Sequence, residues 1–319
     1  MALGEFDLIK KYFTSFDKGE GISLGIGDDC ALLDCPLGKK LAITTDTQIE
    51  GVHFFRGTSP FLIGYKSLLV NVSDLAAMGA VPYCFTLSLT LPDADENFLS
   101  EFSKGLFSLA KKIKMPLIGG NTTKGELSIT ICAYGLVDGD NAMKRQNAKV
   151  GDSLFVTGTL GLPGLAVEAG YKRFSMSKED FDSCIEKSML IEDRTEFASM
   201  ISSYSKCAID ISDGLVGDLN HILKMSDVGC DLYIDKLPKP EEFSKFHVNE
   251  DLSDRLCLYG GCDYELLFTC SEENEQNIAS IADTCKVKVT KIGQINNGSL
   301  NLLKHGKMHE LNEKSFEHF

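Results

Sequence analysis

Apolar residues in the first half of the chain change period several times, and each change marks an element. From position 61, Phe61, Tyr65, Leu68, Leu69, Val72, Leu75 and Ala76 recur at intervals of three and four. That spacing predicts an amphipathic helix, with Asn71 and Asp74 on a different face. Over 83–91 the period drops to two. Tyr83, Phe85, Leu87, Leu89 and Leu91 fall on one side, and Cys84, Thr86, Ser88 and Thr90 on the other, which predicts a strand with one strongly apolar face. Phe98, Leu99, Phe102, Leu106, Leu109, Ala110 and Ile113 supply a second helix, while LAITTDT, MPLIGG and LSITICAYGLV read as strands. The first half therefore follows the order βαβαββ.

Apolar periodicity is lost across GDNAMKRQNAKVGD, which makes 139–151 the expected connection between a first domain over 1–138 and a second over 152–319. Beyond it the pattern restarts with SLFVTG as a strand, two helical stretches between Pro163 and Tyr204, the strand CAIDIS and the helix DGLVGDLNHILKMS. CDLYID, YGGCDYELLFTCS, a helix near 274–285 and KVKVTKIGQI follow, and Asn297-Gly298 is the expected turn of a final hairpin.

Composition narrows the function classes. The 319 residues carry a net charge of −14 with a pI near 4.9, which argues against a general nucleic-acid binder because polyanions are met by basic surfaces. The uncharged run 75–92 has the length of a membrane span, but Gly79 and Pro82 break it, so no membrane partner is expected. The opening MALGEFDLIKKYF mixes charge into every turn and has no export signature. Eleven scattered cysteines without a CxxC unit suit small buried thiols in a reducing, cytoplasmic setting.

The candidate chemistry lies in the acids. Asp28 and Asp29, Asp46 in TTDT, Asp74 in NVSDLAAMG, and Asp210 with Asp213 in DISDG all fall at or beside predicted turns. Any one of them could be a helix cap. Taken together they suggest oxygen ligands for a hard cation such as Mg²⁺. No GxxxxGK[ST] loop or dinucleotide fingerprint is present, so an acidic protein that binds a phosphate ester would do so through metal ions. The glycines of IGGNTTKGE allow backbone amides to approach a ligand, with Asn121, Thr122 and Thr123 as oxygen donors, although a hairpin turn would look the same. Arg145 is a possible phosphate fork and His53 a possible phosphate contact, against surface-charge and packed-histidine alternatives. Cys30, Cys35 and Cys262 have no histidine at a recognisable spacing and read as packing or site wall.

In order, GEFDLIKKYF, GIGDDCALL, TTDTQIEGVHF, NVSDLAAMGAVP, IGGNTTKGELSIT, VGDSLFVTGTLG, DISDGLVGDLNHIL and GGCDYELLFT resemble the thiamine-monophosphate kinases, within the superfamily of aminoimidazole ribonucleotide synthetase and selenophosphate synthetase. The resemblance covers nearly the whole chain. It implies an α+β fold of two domains, of the aminoimidazole ribonucleotide synthetase type, and a homodimer formed through the N-terminal sheet, for which the apolar side of 83–91 is the expected surface. It also implies transfer of a phosphoryl group from ATP to thiamine monophosphate with the help of several Mg²⁺ ions. Position by position, it assigns Asp29, Thr44, Thr45, Asp46, Asp74, Asn121, Asp210 and Asp213 to metal. Gly120, Asn121, Arg145 and Ser212 fall to nucleotide, and His53, Cys262 and Phe316 to the thiamine phosphate. No separate catalytic side chain is implied.

Two departures stand out. Asn121 and Cys262 occupy positions where the family pattern has Asp and Glu, so each removes a carboxylate. Asp263, Glu265 and Glu126 are the nearby acids that could supply the missing charge. A binder that has lost turnover, another ATP-using member of the superfamily and a metal-dependent phosphohydrolase are the competing readings.

Overall fold

The computed structural model describes residues 5–16, 18–27, 30–139 and 141–309. Asp28, Asp29 and Phe316 therefore lie outside the described residues. The chain divides into two compact units, one of 1–75 with 80–140, the other of 76–79 with 141–319.

The first unit contains α1 (Glu5–Tyr12), a small antiparallel pair of β1 (Ile22–Leu24) and β2 (Leu32–Leu33), then β3 (Lys39–Ile49), α2 (Pro60–Ala77), β4 (Val81–Leu91), α3 (Glu96–Lys112), β5 (Leu117–Lys124) and β6 (Ser128–Asp138). From β3 onward this is the expected βαβαββ order. The sheet order is β3-β6-β4-β5, with β4 and β5 parallel and the other pairs antiparallel. Residues paired across strands share a face. Thr44, Ala133 and Phe85 thus form one row, Asp46, Ile131 and Leu87 the next, and Gln48, Ile129 and Leu89 a third. This face carries the apolar side of β4, and Phe85, Leu87, Leu89 and Leu91 are buried within the single chain. It is therefore not the surface left for a partner, which corrects the expectation from sequence. The opposite face carries Ile43, Tyr134, Thr86 and Ser88, and Ile43 is 61% exposed.

Two further differences arise inside these strands. A bulge between Pro82 and Cys84 takes Tyr83 out of the alternation of β4, and its hydroxyl donates to Gly21 O at 2.8 Å and Asp34 O at 2.7 Å; Cys84, paired with Tyr134 on the face opposite Phe85, is buried there. The GGNTT segment is not a turn. It continues β5 along β4, because Thr122 and Thr123 suit extended backbone, and the turn follows at 125–127. Helices α2 and α3 meet through glycines on both sides: a Cβ at position 64 would lie 2.1 Å from Phe102 O, and one at 105 would lie 1.9 Å from Phe61 O.

The second unit runs β7 (Ser153–Thr157), α4 (Leu162–Gly170), α5 (Lys178–Met189), α6 (Thr195–Ile201), β8 (Cys207–Asp210), α7 (Leu215–Ser226), β9 (Gly229–Tyr233), α8 (Glu241–Lys245), α9 (Glu250–Tyr259), β10 (Leu266–Cys270), α10 (Glu275–Cys285), β11 (Val289–Asn296), β12 (Leu300–Lys304) and β13 (Lys307–Met308). Three helices rather than two lie between Pro163 and Tyr204. The sheet order is β13-β12-β9-β11-β7-β10-β8. Its two faces fill separate cores: Leu154, Val156, Ile209 and Leu267 pack with α7, while Phe155, Ala208 and Phe268 pack with Phe197 and Ile278. Burial on both faces explains why these strands read as continuous apolar runs. Asn297-Gly298 does not turn a hairpin, since β9 lies between β11 and β12. The final hairpin joins β12 to β13 through His305 and Gly306, both at positive φ as a tight two-residue turn requires. Among the described residues no helix is long and apolar enough to cross a membrane.

Candidate active site

In the first unit, strand β3 and helix α2 bring two carboxylates together. Asp46 stands in the middle of β3, not at its end, because pairing with β6 continues to Ile49. Asp74 sits in the last turn of α2, and the Thr44 hydroxyl donates to its carboxylate. Burial, then the charge of Asp74 and a hydrogen bond with it, push the Asp46 carboxyl up to about 6. Two acids facing each other beside a hydroxyl make an oxygen-only donor set whose repulsion a hard cation would relieve, so these residues fit Mg²⁺. Among the described residues no three acidic, histidine or cysteine side chains gather at one point.

The other assigned residues of this unit are less closely joined. The Thr45 hydroxyl donates its proton to Ile131 O at 3.1 Å, which still leaves its oxygen lone pairs to accept. Gly120 shares the row of Leu87, Ile131 and Asp46, at φ +155, and a Cβ there would lie 1.9 Å from Leu87 O. Asn121, one residue on, is exposed and pairs with Ser88; no described contact links it to the Asp46 and Asp74 pair. His53 is exposed and accepts from Ile49 N at 3.0 Å through Nδ1. That bond leaves the proton of a neutral ring on Nε2, where it can be donated to an anion.

In the second unit the DISDG and GGCDYE segments lie side by side. Asp210 ends β8 and is 5% exposed. Ile211 N donates to Glu265 O at 2.9 Å, Tyr264 N to Ile211 O at 2.8 Å and Cys262 N to Ser212 O at 2.6 Å. Cys262 and Tyr264 both have positive φ, 60° and 49°, an uncommon conformation for side-chain-bearing residues. Cys262 is exposed, as are Cys30 and Cys35, so none of the three serves as packing. Arg145 opens a short 3₁₀ turn over Arg145–Asn147 and its charge acts on Asp218.

Sequence reasoning missed Asp218 and named Glu265 and Asp263 only as replacement charge, whereas all three hold these loops. Asp218 receives Ser212 N and Asp213 N on one carboxylate oxygen, and burial with the nearby Asp213 pushes it up to about 7. Glu265 is 5% exposed, receives Arg194 Nε and a terminal guanidinium nitrogen at 2.7 Å each, and receives the Thr157 hydroxyl at 2.5 Å. Asp263 accepts from Gly161 N at 2.8 Å. Both acids are committed to the scaffold and do not replace a carboxylate at position 262. The alternation Asp263, Tyr264, Glu265 was the available signal, since acids two apart beside an apolar strand must find partners.

Residues 27–137 match the family described as AIR synthase related protein, N-terminal domain, and 149–303 match the corresponding C-terminal domain. The chain is 40% identical to the thiamine-monophosphate kinase of Salmonella typhimurium over 100% of its own length and 99% of that protein. It belongs to the thiamine-monophosphate kinase family. The crystal structure of thiamine-monophosphate kinase from Stenotrophomonas maltophilia superimposes with a TM-score of 0.85 at 35% identity, covering 97% of this chain and 99% of that one. A structure of AaThiL complexed with AMPPCP and TMP gives 0.77 at 31% identity, covering 100% and 99%. The chain thus has the expected two-domain α+β fold, an N-terminal and a C-terminal domain of the AIR synthase related type.

Proposed function

We infer that this chain transfers the terminal phosphoryl group of ATP to the phosphate of thiamine monophosphate, yielding thiamine diphosphate and ADP. Its membership of the family identifies donor and acceptor, and the pairing of Asp46 with Asp74 carries the chemistry. One P–O bond to ADP breaks and one to the acceptor phosphate forms. An acceptor oxygen already ionised near neutral pH needs no general base, so no protein nucleophile or base is assigned. Positioning and charge neutralisation are what remains for the protein to supply.

Thr44, Asp46 and Asp74 in the first unit, with Asp29, would hold Mg²⁺, as would Asp210 and Asp213 in the second. When bound, the ions would neutralise charge on the transferring group. Thr45 and Asn121 complete the metal set carried over from the family, and Gly120, Asn121, Arg145 and Ser212 the nucleotide set. His53, whose Nδ1 accepts from Ile49 N, can donate from Nε2 to a phosphate, and the resemblance assigns His53, Cys262 and Phe316 to the thiamine phosphate. Two copies pair through the outer face of the first unit's sheet, around Ile43, and the eleven thiols suit a cytoplasmic setting.

The test is ³¹P NMR of a reaction holding ATP, Mg²⁺ and purified protein, with and without thiamine monophosphate. The β-phosphorus of thiamine diphosphate should grow only with acceptor present. Phosphate release without acceptor would make the chain a hydrolase, and bound nucleotide without product a binder.

A further inference from the structure

We propose that Asp218 is a positioning residue whose carboxylate holds the 211–214 loop, and through that loop the 260–264 loop, in the geometry that phosphoryl transfer uses. The proposal rests on the assignment of Ser212 and Asp213 to nucleotide and metal and of Cys262 to the acceptor.

Asp218 is only 3% exposed and lies in the first turn of α7, within the second unit. An acid in a first turn ordinarily complements the helix that carries it. This one reaches back, and a single oxygen, Oδ2, accepts Ser212 N at 3.0 Å and Asp213 N at 3.1 Å. Neither N–H belongs to the helix. With its amides turned toward Asp218, Ser212 presents its carbonyl the other way and takes the Cys262 amide at 2.6 Å. The contact is close enough to require glycine at the seam: Gly261 has φ +68, and a Cβ there would lie 2.9 Å from Ser212 O. Cys262 and Tyr264 remain in positive φ because the carbonyls of Ser212 and Ile211 fix their amides. One buried carboxylate thus sets the nucleotide loop, and that loop's backbone sets the acceptor loop.

Because both N–H groups converge on one oxygen, an amide oxygen can replace it and a shorter side chain cannot. Asp218→Asn keeps an acceptor at the right reach; Asp218→Ser is one bond too short. Gly261→Ala disturbs the same seam from the opposite side. The experiment uses the full chain and measures amide exchange in peptides spanning 211–214 and 260–264, together with kcat and the KM for ATP and for thiamine monophosphate. In Asp218→Ser, exchange in both peptides should quicken about tenfold. Both KM values should rise about tenfold together, with the same paired rise in Gly261→Ala. Asp218→Asn should stay within about threefold of wild type in every reading, since it preserves the hydrogen bonds. An Asp218→Asn protein as impaired as Asp218→Ser would overturn the proposal, because charge and not held geometry would then be the role. Exchange confined to 211–214, or a change in one KM alone, would overturn the linkage between loops. Should wild type show no acceptor-dependent turnover, the functional reading fails by itself, and the exchange measurements still decide the brace.

Discussion

Asp46 and Asp74 set stability against function at the scale of single residues. The folded-state value of Asp46, about 6, lies above its ordinary 3.8, so the native chain binds more protons than the unfolded chain between those limits. Stability from this group is therefore lost as pH rises from about 4 to 6, by roughly 2 kcal/mol or less given its partial exposure. Asp46→Asn should remove that loss. In chelator at pH 7 its urea midpoint should exceed that of wild type, the gap shrinking toward pH 4, and Mg²⁺ should stabilise wild type more than the variant, which keeps the second unit's ligands. A second expectation concerns Asn121, which offers a carbonyl oxygen where the resemblance implies a carboxylate. Asn121→Asp should lower the Mg²⁺ concentration for half-maximal rate by about tenfold, a typical scale for a change beside a metal. The acids at 46, 74, 210 and 213 stood out in the sequence because they gathered at or beside predicted turns, although Asp46 lies within β3 and not at its end. Asp218 did not stand out, since an acid in the first turn of a helix is ordinary until its partners are known. Thr44 and Thr45 looked equivalent, and only the pleat of β3 separates the one bonded to Asp74 from the one bonded to Ile131 O.

Among the elements, α2 and α3 cross where Gly64 and Gly105 admit the opposing backbone. Gly105→Ala should cost about 1–3 kcal/mol through overpacking, more than the helix propensity it gains, as read from thermal unfolding. Glu265 gives the complementary case in the second unit. Arg194→Met would leave a buried carboxylate without its ion-pair partner and should cost about 3–5 kcal/mol, whereas adding Glu265→Leu should restore much of the loss. Element types were largely legible because each period persists over many residues. The misreadings were local: GGNTT resembled a turn although its threonines extend β5, and Asn297-Gly298 resembled a hairpin although β9 is inserted between the flanking strands. Strand order is a long-range property that no window of sequence contains.

For the whole molecule, the apolar side of β4 turned out to be interior, so the pairing of copies proposed above would have to use a surface other than that face, and the outer face around Ile43 is the one put forward. Ile43→Asp should shift the protein from dimer to monomer in sedimentation at micromolar concentration, while leaving the Asp46 and Asp74 pair in place. The family, the two-domain fold and the reaction were legible together, because ordered motifs along nearly the entire chain are far more specific than any one acid within them. The most direct test of the account is the rate of thiamine diphosphate formation against Mg²⁺ concentration, for wild type and Asp46→Asn side by side. Wild type should form one ADP per thiamine diphosphate with saturable dependence on Mg²⁺, and Asp46→Asn should stay at least about a hundredfold slower at saturation. Equal rates for the two proteins at high Mg²⁺ would contradict the account.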